Sequence, residues 1–276
     1  MGTIDHRGQA IHFEDHGSGP PVVLGHSFLC TGAMWREQVA PLAARYRVLN
    51  LDLRGHGRSG PAAKPFTLYD AVDDVLAVLD HLGIERAVWC GLSIGGMVAL
   101  RAALVAPERV RALVLLDSDA GAETVGRKLK YSAMGVVARL AGIGPVRSAV
   151  SRLMFGETTH RSRPDLVSEW EATADSLHIP SVLRGLEALV TRDSLLARLR
   201  EITVPALVMV GDEDRSLPPP HSRRIQAGLP DARLELIPGA GHLAALERPE
   251  VVTRAMLGFL DALGAMPGED GAAGSR

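Results

Sequence analysis

The sequence predicts an α/β fold in which a mostly parallel central sheet is flanked by helices and interrupted by one helical insertion. Short apolar runs of strand length alternate with amphipathic segments of helix length. Several runs are almost continuously apolar, as strands covered on both faces are. The alternation lapses once, between about 120 and 200, where helical patterning continues without a strand.

Taken in order, the expected strands are VVLGH (22–26), RVLNLD (47–52), AVWCGL (87–92), RALVLLD (111–117), PALVMVG (205–211) and ARLELIP (232–238). The expected helices between them are MWREQVAPLAARY (34–46), TLYDAVDDVLAVLDHLG (67–83), GGMVALRAALVAP (95–107) and HSRRIQAGLP (221–230), with EVVTRAMLGFLDALG (250–264) after the last strand. Strand and helix in alternation define the α/β class. A helical insertion after a strand of such a sheet lies above its carboxyl edge, where ligands bind, so the lapse reads as a lid. The expected organisation is a core of 1–119 and 201–264, a lid of 120–200, and a small, polar, mobile tail of 265–276.

Composition narrows the function classes. With 46% hydrophobic and 22% charged residues among 276, the chain can bury a large core. A formal charge of −2 gives no basic footprint for nucleic acid and no polybasic patch for an anionic membrane, which leaves small molecules as the expected partners. The first thirty residues lack the charged and apolar regions of a signal peptide. No apolar run reaches the ~20 residues of a membrane span. Cys30 and Cys90 have neither CxxC spacing nor the number for a disulfide framework or zinc site. A cytoplasmic protein is expected.

Chemistry concentrates at Gly91-Leu92-Ser93-Ile94-Gly95, a G-x-S-x-G at the end of an expected strand and the start of an expected helix. A serine on that sharp turn is strained, and glycine two residues either side removes collisions with neighbouring backbone. The helix that follows aims its amino end at the hydroxyl, favouring developing negative charge. A serine still needs a base, usually a histidine oriented by a carboxylate. His242 follows the strand 232–238 in a glycine-rich turn, and Asp212 and Asp214 follow the strand 205–211. Asp117 and Asp119, after the strand 111–117, are alternative acids. Singly, each would read as a turn former or a satisfied surface histidine. Together, at one edge of one sheet, they read as a nucleophile with its base and acid.

Other patterns carry less. Gly55 to Gly60 matches G-x-G-x-x-G with Asp80 about twenty residues on, but PAAKP follows instead of the helix that a dinucleotide phosphate requires. Asp52 reads as a structural residue at a strand end, and His26 as a residue that shapes its loop. Cys30, Cys90, Trp35, Met97 and Leu140 read as apolar packing. In the lid, Trp170, His178 and Met154 are candidates to line a pocket.

Five segments resemble the α/β-hydrolase superfamily in the right order. GHSFL (25–29) resembles the oxyanion loop, DLRGHGRSG (52–60) the next turn, GLSIGG (91–96) the nucleophile elbow, GDEDRSLP (211–218) the acid loop and GAGHLAALERP (239–249) the histidine loop. Within the superfamily, the stretches around 26–60 and 91–121 most resemble 3-oxoadipate enol-lactonase-like serine hydrolases. The resemblance implies the α/β-hydrolase fold with the lid after the sixth strand. It also implies attack by Ser93, proton transfer by His242 and support from Asp214, chosen over Asp212 by the spacing Gly211, Asp214, Pro218. Backbone N–H groups of Phe28 and Ile94 would receive the oxyanion. Ser27 departs from the commoner His-Gly pair and places a hydroxyl where it can contact substrate.

The implied activity is hydrolysis of a small carboxylic ester or lactone, with no metal and no cofactor. Serine at the elbow argues against haloalkane dehalogenases and epoxide hydrolases, which would require aspartate there. Two enzymatic alternatives use the same triad, carbon–carbon bond hydrolysis and cofactor-free haloperoxidase or perhydrolase chemistry. The non-enzymatic alternative is a ligand-binding module on the same scaffold.

Overall fold

Eight strands form one sheet in the order β1-β2-β4-β3-β5-β6-β7-β8 in a computed structural model that describes residues 1–264. The tail 265–276, expected to be mobile, lies outside the described residues. The strands are β1 (Gly2–His6), β2 (Gln9–His16), β3 (Pro21–Gly25), β4 (Arg47–Leu51), β5 (Ala87–Leu92), β6 (Val110–Leu116), β7 (Ala206–Gly211) and β8 (Ala232–Ile237). From β4 through β8 every pairing is parallel, while β1 and β2 join antiparallel. All six expected strands are present. The hairpin β1–β2 was not anticipated, because its polar, histidine-rich sequence lacks the continuous apolar run of a strand buried on both faces. Its two-residue loop is Arg7-Gly8, both at positive φ (53° and 81°), which suits the twist of a tight hairpin.

The helices are α1 (Arg36–Ala43), α2 (Leu68–His81), α3 (Ile94–Val105), α4 (Val125–Ala141), α5 (Gly144–Met154), α6 (Glu157–Ser162), α7 (Pro164–Asp175), α8 (Ile179–Val190), α9 (Pro220–Gly228), α10 (Ala244–Glu247) and α11 (Pro249–Ala262). Helix α2 begins with a reciprocal cap in which Thr67 accepts from Asp70 N–H and Asp70 accepts from Thr67 N–H. Helices α4 to α8 all fall between β6 and β7, where strand patterning lapses in the sequence.

Alternate side chains of each strand enter opposite cores, as the two-residue period requires. Val23, Leu49, Trp89, Leu113 and Val208 face one cluster with α2 and α3 residues such as Val75, Leu79 and Leu100. Leu24, Val48, Val88, Val114 and Met209 face the other with Leu42 of α1 and Met256 and Leu260 of α11. Cys90 belongs to the second core, as expected. Leu140, expected to be packed, is instead 81% exposed, because the inner face of α4 is taken by other residues.

Strand order reverses beside β3, which pairs β4 on one side and β5 on the other. This is the switch point at which loops diverge and leave a crevice at the carboxyl ends. Gly25 and Gly91 are register partners at that edge, so the loops carrying His26 to Leu29 and the turn at Ser93 emerge side by side. Their closeness explains the glycines. A Cβ on Gly91 would lie 2.1 Å from the Gly95 carbonyl carbon, and one on Gly95 would lie 2.2 Å from the Gly25 oxygen. Neither contact can be relieved by a side-chain rotation, since both meet backbone.

Candidate active site

Ser93 sits between β5 and α3 at φ 55°, ψ −113°, a conformation that a β-carbon makes costly. Its N–H donates to Leu116 O at 2.9 Å, and its carbonyl accepts from Met97 N–H at 3.0 Å and from Ser118 Oγ at 2.9 Å. These bonds stitch the turn to β6 and start the helix, which offsets the strain. Ile94 is the first residue of α3, so its N–H precedes the intrahelical ladder.

The histidine comes from the loop after β8. His242 Nδ1 lies 2.9 Å from Asp214 Oδ2, with both side chains fully buried. Asp214 follows β7, and its other oxygen accepts from the N–H groups of Ser216 at 2.8 Å and Leu217 at 2.9 Å. A carboxylate held this way keeps a proton on Nδ1 and leaves Nε2 as the basic nitrogen. Ser93 and His242 line one cavity of about 130 Å³.

The competing carboxylates have other partners. Asp212 Oδ1 accepts from Gly239 N–H at 2.7 Å and braces the histidine loop from outside. Asp119 lies within 3.1 Å of Arg192 and His221 and 3.3 Å of Arg224, and its carboxyl is held down to about 2 despite a burial that opposes ionisation. Asp117 is buried at φ 45°, with Oδ1 accepting from Gly211 N–H at 2.8 Å. Burial, and then the nearby charge of Asp214, push its carboxyl well above the usual range.

The loop after β3 forms a second wall. His26 Nδ1 lies 2.7 Å from Ser27 O, while its Nε2 accepts from Leu53 N–H at 2.9 Å. Only a neutral ring protonated on Nδ1 satisfies both, and burial lowers its pKa accordingly. His26 therefore shapes its loop, as the sequence suggests. Asp52 likewise holds the adjoining turns, accepting from Gly32 N–H at 2.7 Å and Arg58 N–H at 2.8 Å. Ser27 and Phe28 both line the cavity, and the buried Ser27 Oγ has no hydrogen-bond partner among the described residues.

Most of the remaining lining is aliphatic and comes from α4, α5 and α8: Met134, Val146, Leu153, Met154, Leu183 and Leu186. Met154 is thus placed at the cavity as anticipated. Two other lid candidates are not. Trp170 is buried against Phe155, with ring centroids 5.7 Å apart, and borders a separate cleft with Cys30 and Met34. His178 Nδ1 instead pairs with Ser181 Oγ at 2.8 Å at the start of α8. Trp170 lies on the side of α7 that neighbouring segments cover, whereas His178 is an exposed residue just before α8.

Sequence reasoning also missed Glu247. It is buried, accepts from Gly241 N–H at 2.9 Å, Leu243 N–H at 3.2 Å and Gly156 N–H at 2.9 Å, and so ties the two residues flanking His242 to the segment before α6. Burial raises its pKa. A charged residue six positions from a glycine-rich turn offers little signal for such a clamp. Among the described residues, no group of three or more His, Cys, Asp or Glu could hold a metal ion.

A mostly parallel sheet with a glycine-flanked serine after β5 and a carboxylate-paired histidine after β8 defines the class of α/β hydrolases. The model of the alpha/beta hydrolase fold family matches residues 20–249, and the chain belongs to that family. It is similar to a thermophilic esterase from Thermogutta terrifontis, at 30% identity and TM-score 0.89 over 95% of this chain and 97% of the other. It is also similar to the enol-lactonase from Burkholderia xenovorans LB400, at 28% identity and TM-score 0.88 over 94% and 100%. A Mycobacterium tuberculosis protein named as a non-heme bromoperoxidase is 31% identical over 90% of this chain and 97% of its own. No described helix is long and apolar enough to cross a membrane.

Proposed function

We propose that this hydrolase cleaves a small carboxylic ester or lactone through an acyl-enzyme on Ser93. The observation that carries the reading is the pairing of His242 with Asp214 at 2.9 Å beside the cavity that Ser93 also lines. In the proposed reaction Ser93 Oγ attacks the carbonyl carbon and its proton passes to His242 Nε2. The tetrahedral oxyanion is received by the N–H groups of Phe28 and Ile94. As the bond to the alcohol breaks, the imidazolium returns the proton to the leaving oxygen; for a lactone the alcohol stays attached to the acyl group. Water, deprotonated by the same imidazole, then releases the acid and restores Ser93. Asp214 supports the imidazolium in both half-reactions.

The helical segment between β6 and β7 acts in this reading as a lid that sets substrate choice. Its aliphatic contribution to the cavity favours apolar acyl groups, and excluding water there strengthens the electrostatic contacts. The decisive experiment combines turnover of p-nitrophenyl acetate with fluorophosphonate labelling. One adduct on Ser93 and a fall in kcat of about 10⁴-fold or more in Ser93→Ala are expected. A label elsewhere, or full activity in the alanine variant, would sink the proposal and favour the ligand-binding alternative.

Likeness to the protein named as a bromoperoxidase favours perhydrolysis as a second reading. There hydrogen peroxide replaces water in the second half-reaction, and the acyl-enzyme yields a peracid. Measuring peracid against free acid at graded peroxide concentrations separates the two.

A further inference from the structure

Helix α4 has two apolar faces, and only one is covered. Tyr131, Met134, Gly135 and Ala138 line the cavity. On the opposite side Val125, Leu129, Val136 and Leu140 are 75%, 69%, 57% and 81% exposed. At about 100° per residue these four fall within about 60° of arc, so they form one stripe along the outer surface. Single exposed apolar residues are ordinary, but a continuous stripe is a contact surface.

The charges around the stripe identify what it meets. Residues 125–154 contain six Lys and Arg and no Asp or Glu, in a chain with 30 basic and 32 acidic residues overall. Arg127 pairs with Glu123, and Arg147 with Asp175 and Glu171. Lys128, Lys130 and Arg139 pair with no carboxylate among the described residues. On the helix, Lys128 and Arg139 flank one edge of the stripe and Lys130 the other. A chain-wide charge of −2 therefore hides a basic, apolar helix, which the expectation of no membrane contact, resting on that average, did not take into account.

We propose that α4 is an in-plane docking helix for a lipid surface rich in anionic phospholipid. The stripe would sink to the boundary between headgroups and acyl chains, while the flanking cations extend their stems outward to the phosphates. A second copy of the chain fits less well. Isologous pairing of α4 on α4 would set Lys128, Lys130 and Arg139 of the two copies near one another, with no acid in α4 to neutralise them. Docking would bring the helix that walls the cavity to the surface in which apolar esters dissolve. The docking itself does not depend on the reaction proposed for Ser93.

The test is flotation of the full chain with vesicles of phosphatidylcholine, with and without phosphatidylglycerol. Binding to the anionic vesicles is expected, weakening as salt screens the charges. Two double variants, Leu129→Asp/Leu140→Asp and Lys128→Glu/Lys130→Glu, should each lower binding at least about tenfold. Both alter exposed or half-buried positions that do not line the cavity, so p-nitrophenyl acetate turnover and thermal melting should stay as in the parent. The proposal is overturned if the parent ignores anionic vesicles, or if either variant binds as well as the parent. It is equally overturned if the chain forms a dimer that Leu129→Asp/Leu140→Asp dissociates, since the stripe would then be covered by a second copy.

Discussion

His242 Nδ1 lies 2.9 Å from Asp214 Oδ2, and the second oxygen of that carboxylate is held by two backbone N–H groups. The Asp214 carboxylate is therefore held from both sides. Asp214→Asn would present an amide N–H or a weaker acceptor to the ring and upset its tautomer. A loss in kcat of about 10³- to 10⁴-fold is expected, with Asp212→Asn within about tenfold of the parent. Steady-state kinetics of the two variants, and of Asp117→Asn, decide the assignment, which fails if Asp117→Asn is the most impaired.

Asp117 answers differently to pH. Its folded pKa is raised well above the 3.8 expected of an unfolded aspartate, mainly by burial. Between those two values the folded chain keeps a proton that the unfolded chain has released. Its contribution to stability is therefore full below about 3.8 and is lost as pH rises through the folded value. Asp117→Asn, which is neutral throughout, should flatten that fall. Chemical denaturation of parent and variant across the acid and neutral range would expose an unchanged slope if the carboxyl is in fact ionised.

His56 works in the opposite sense. Burial, then the neighbouring His26 ring at 5.1 Å, lower its pKa from 6.5 to about 3. The unfolded chain takes up a proton through 6.5 that the folded chain refuses until about 3, so stability is full above 6.5 and is lost as pH falls between them. His26 adds to this loss, since its pKa is lowered as well. His56→Gln should make the acid-side decline shallower, as read from melting temperature against pH. An identical decline would mean that other groups cause it.

The cavity lining predicts substrate choice. Leu183→Trp or Leu186→Trp should shorten the preferred acyl chain and shift kcat/KM between short and long p-nitrophenyl esters by up to about a hundredfold. Trp170→Ala should leave the ranking unchanged and instead cost about 3–5 kcal/mol of stability, because Trp170 is buried away from the cavity. If Trp170→Ala reorders the esters while the leucine variants do not, the cavity beside Ser93 is not the acyl site.

How much was legible depends on the range of the interaction concerned. The strained turn at Ser93 needs glycine at 91 and 95, and such collisions leave their mark within five residues of chain. Strand and helix periods likewise record which faces are buried, so six strands, the flanking helices and the insertion between β6 and β7 could be read without coordinates. The sequence by itself thus determined the architecture, the candidate nucleophile and the loops that carry the candidate acid and base. The resemblance set Asp214 apart from Asp212 by spacing, but only the tertiary structure gave the four aspartates their distant partners: His242 for Asp214, Gly211 for Asp117, Arg192 for Asp119 and Gly239 for Asp212. It also decided that Met154 meets the cavity while Trp170 and His178 turn away, and that Leu140 faces outward. A helix with apolar residues on two faces carries no local information about which face is covered, because that is settled by packing against segments remote in sequence.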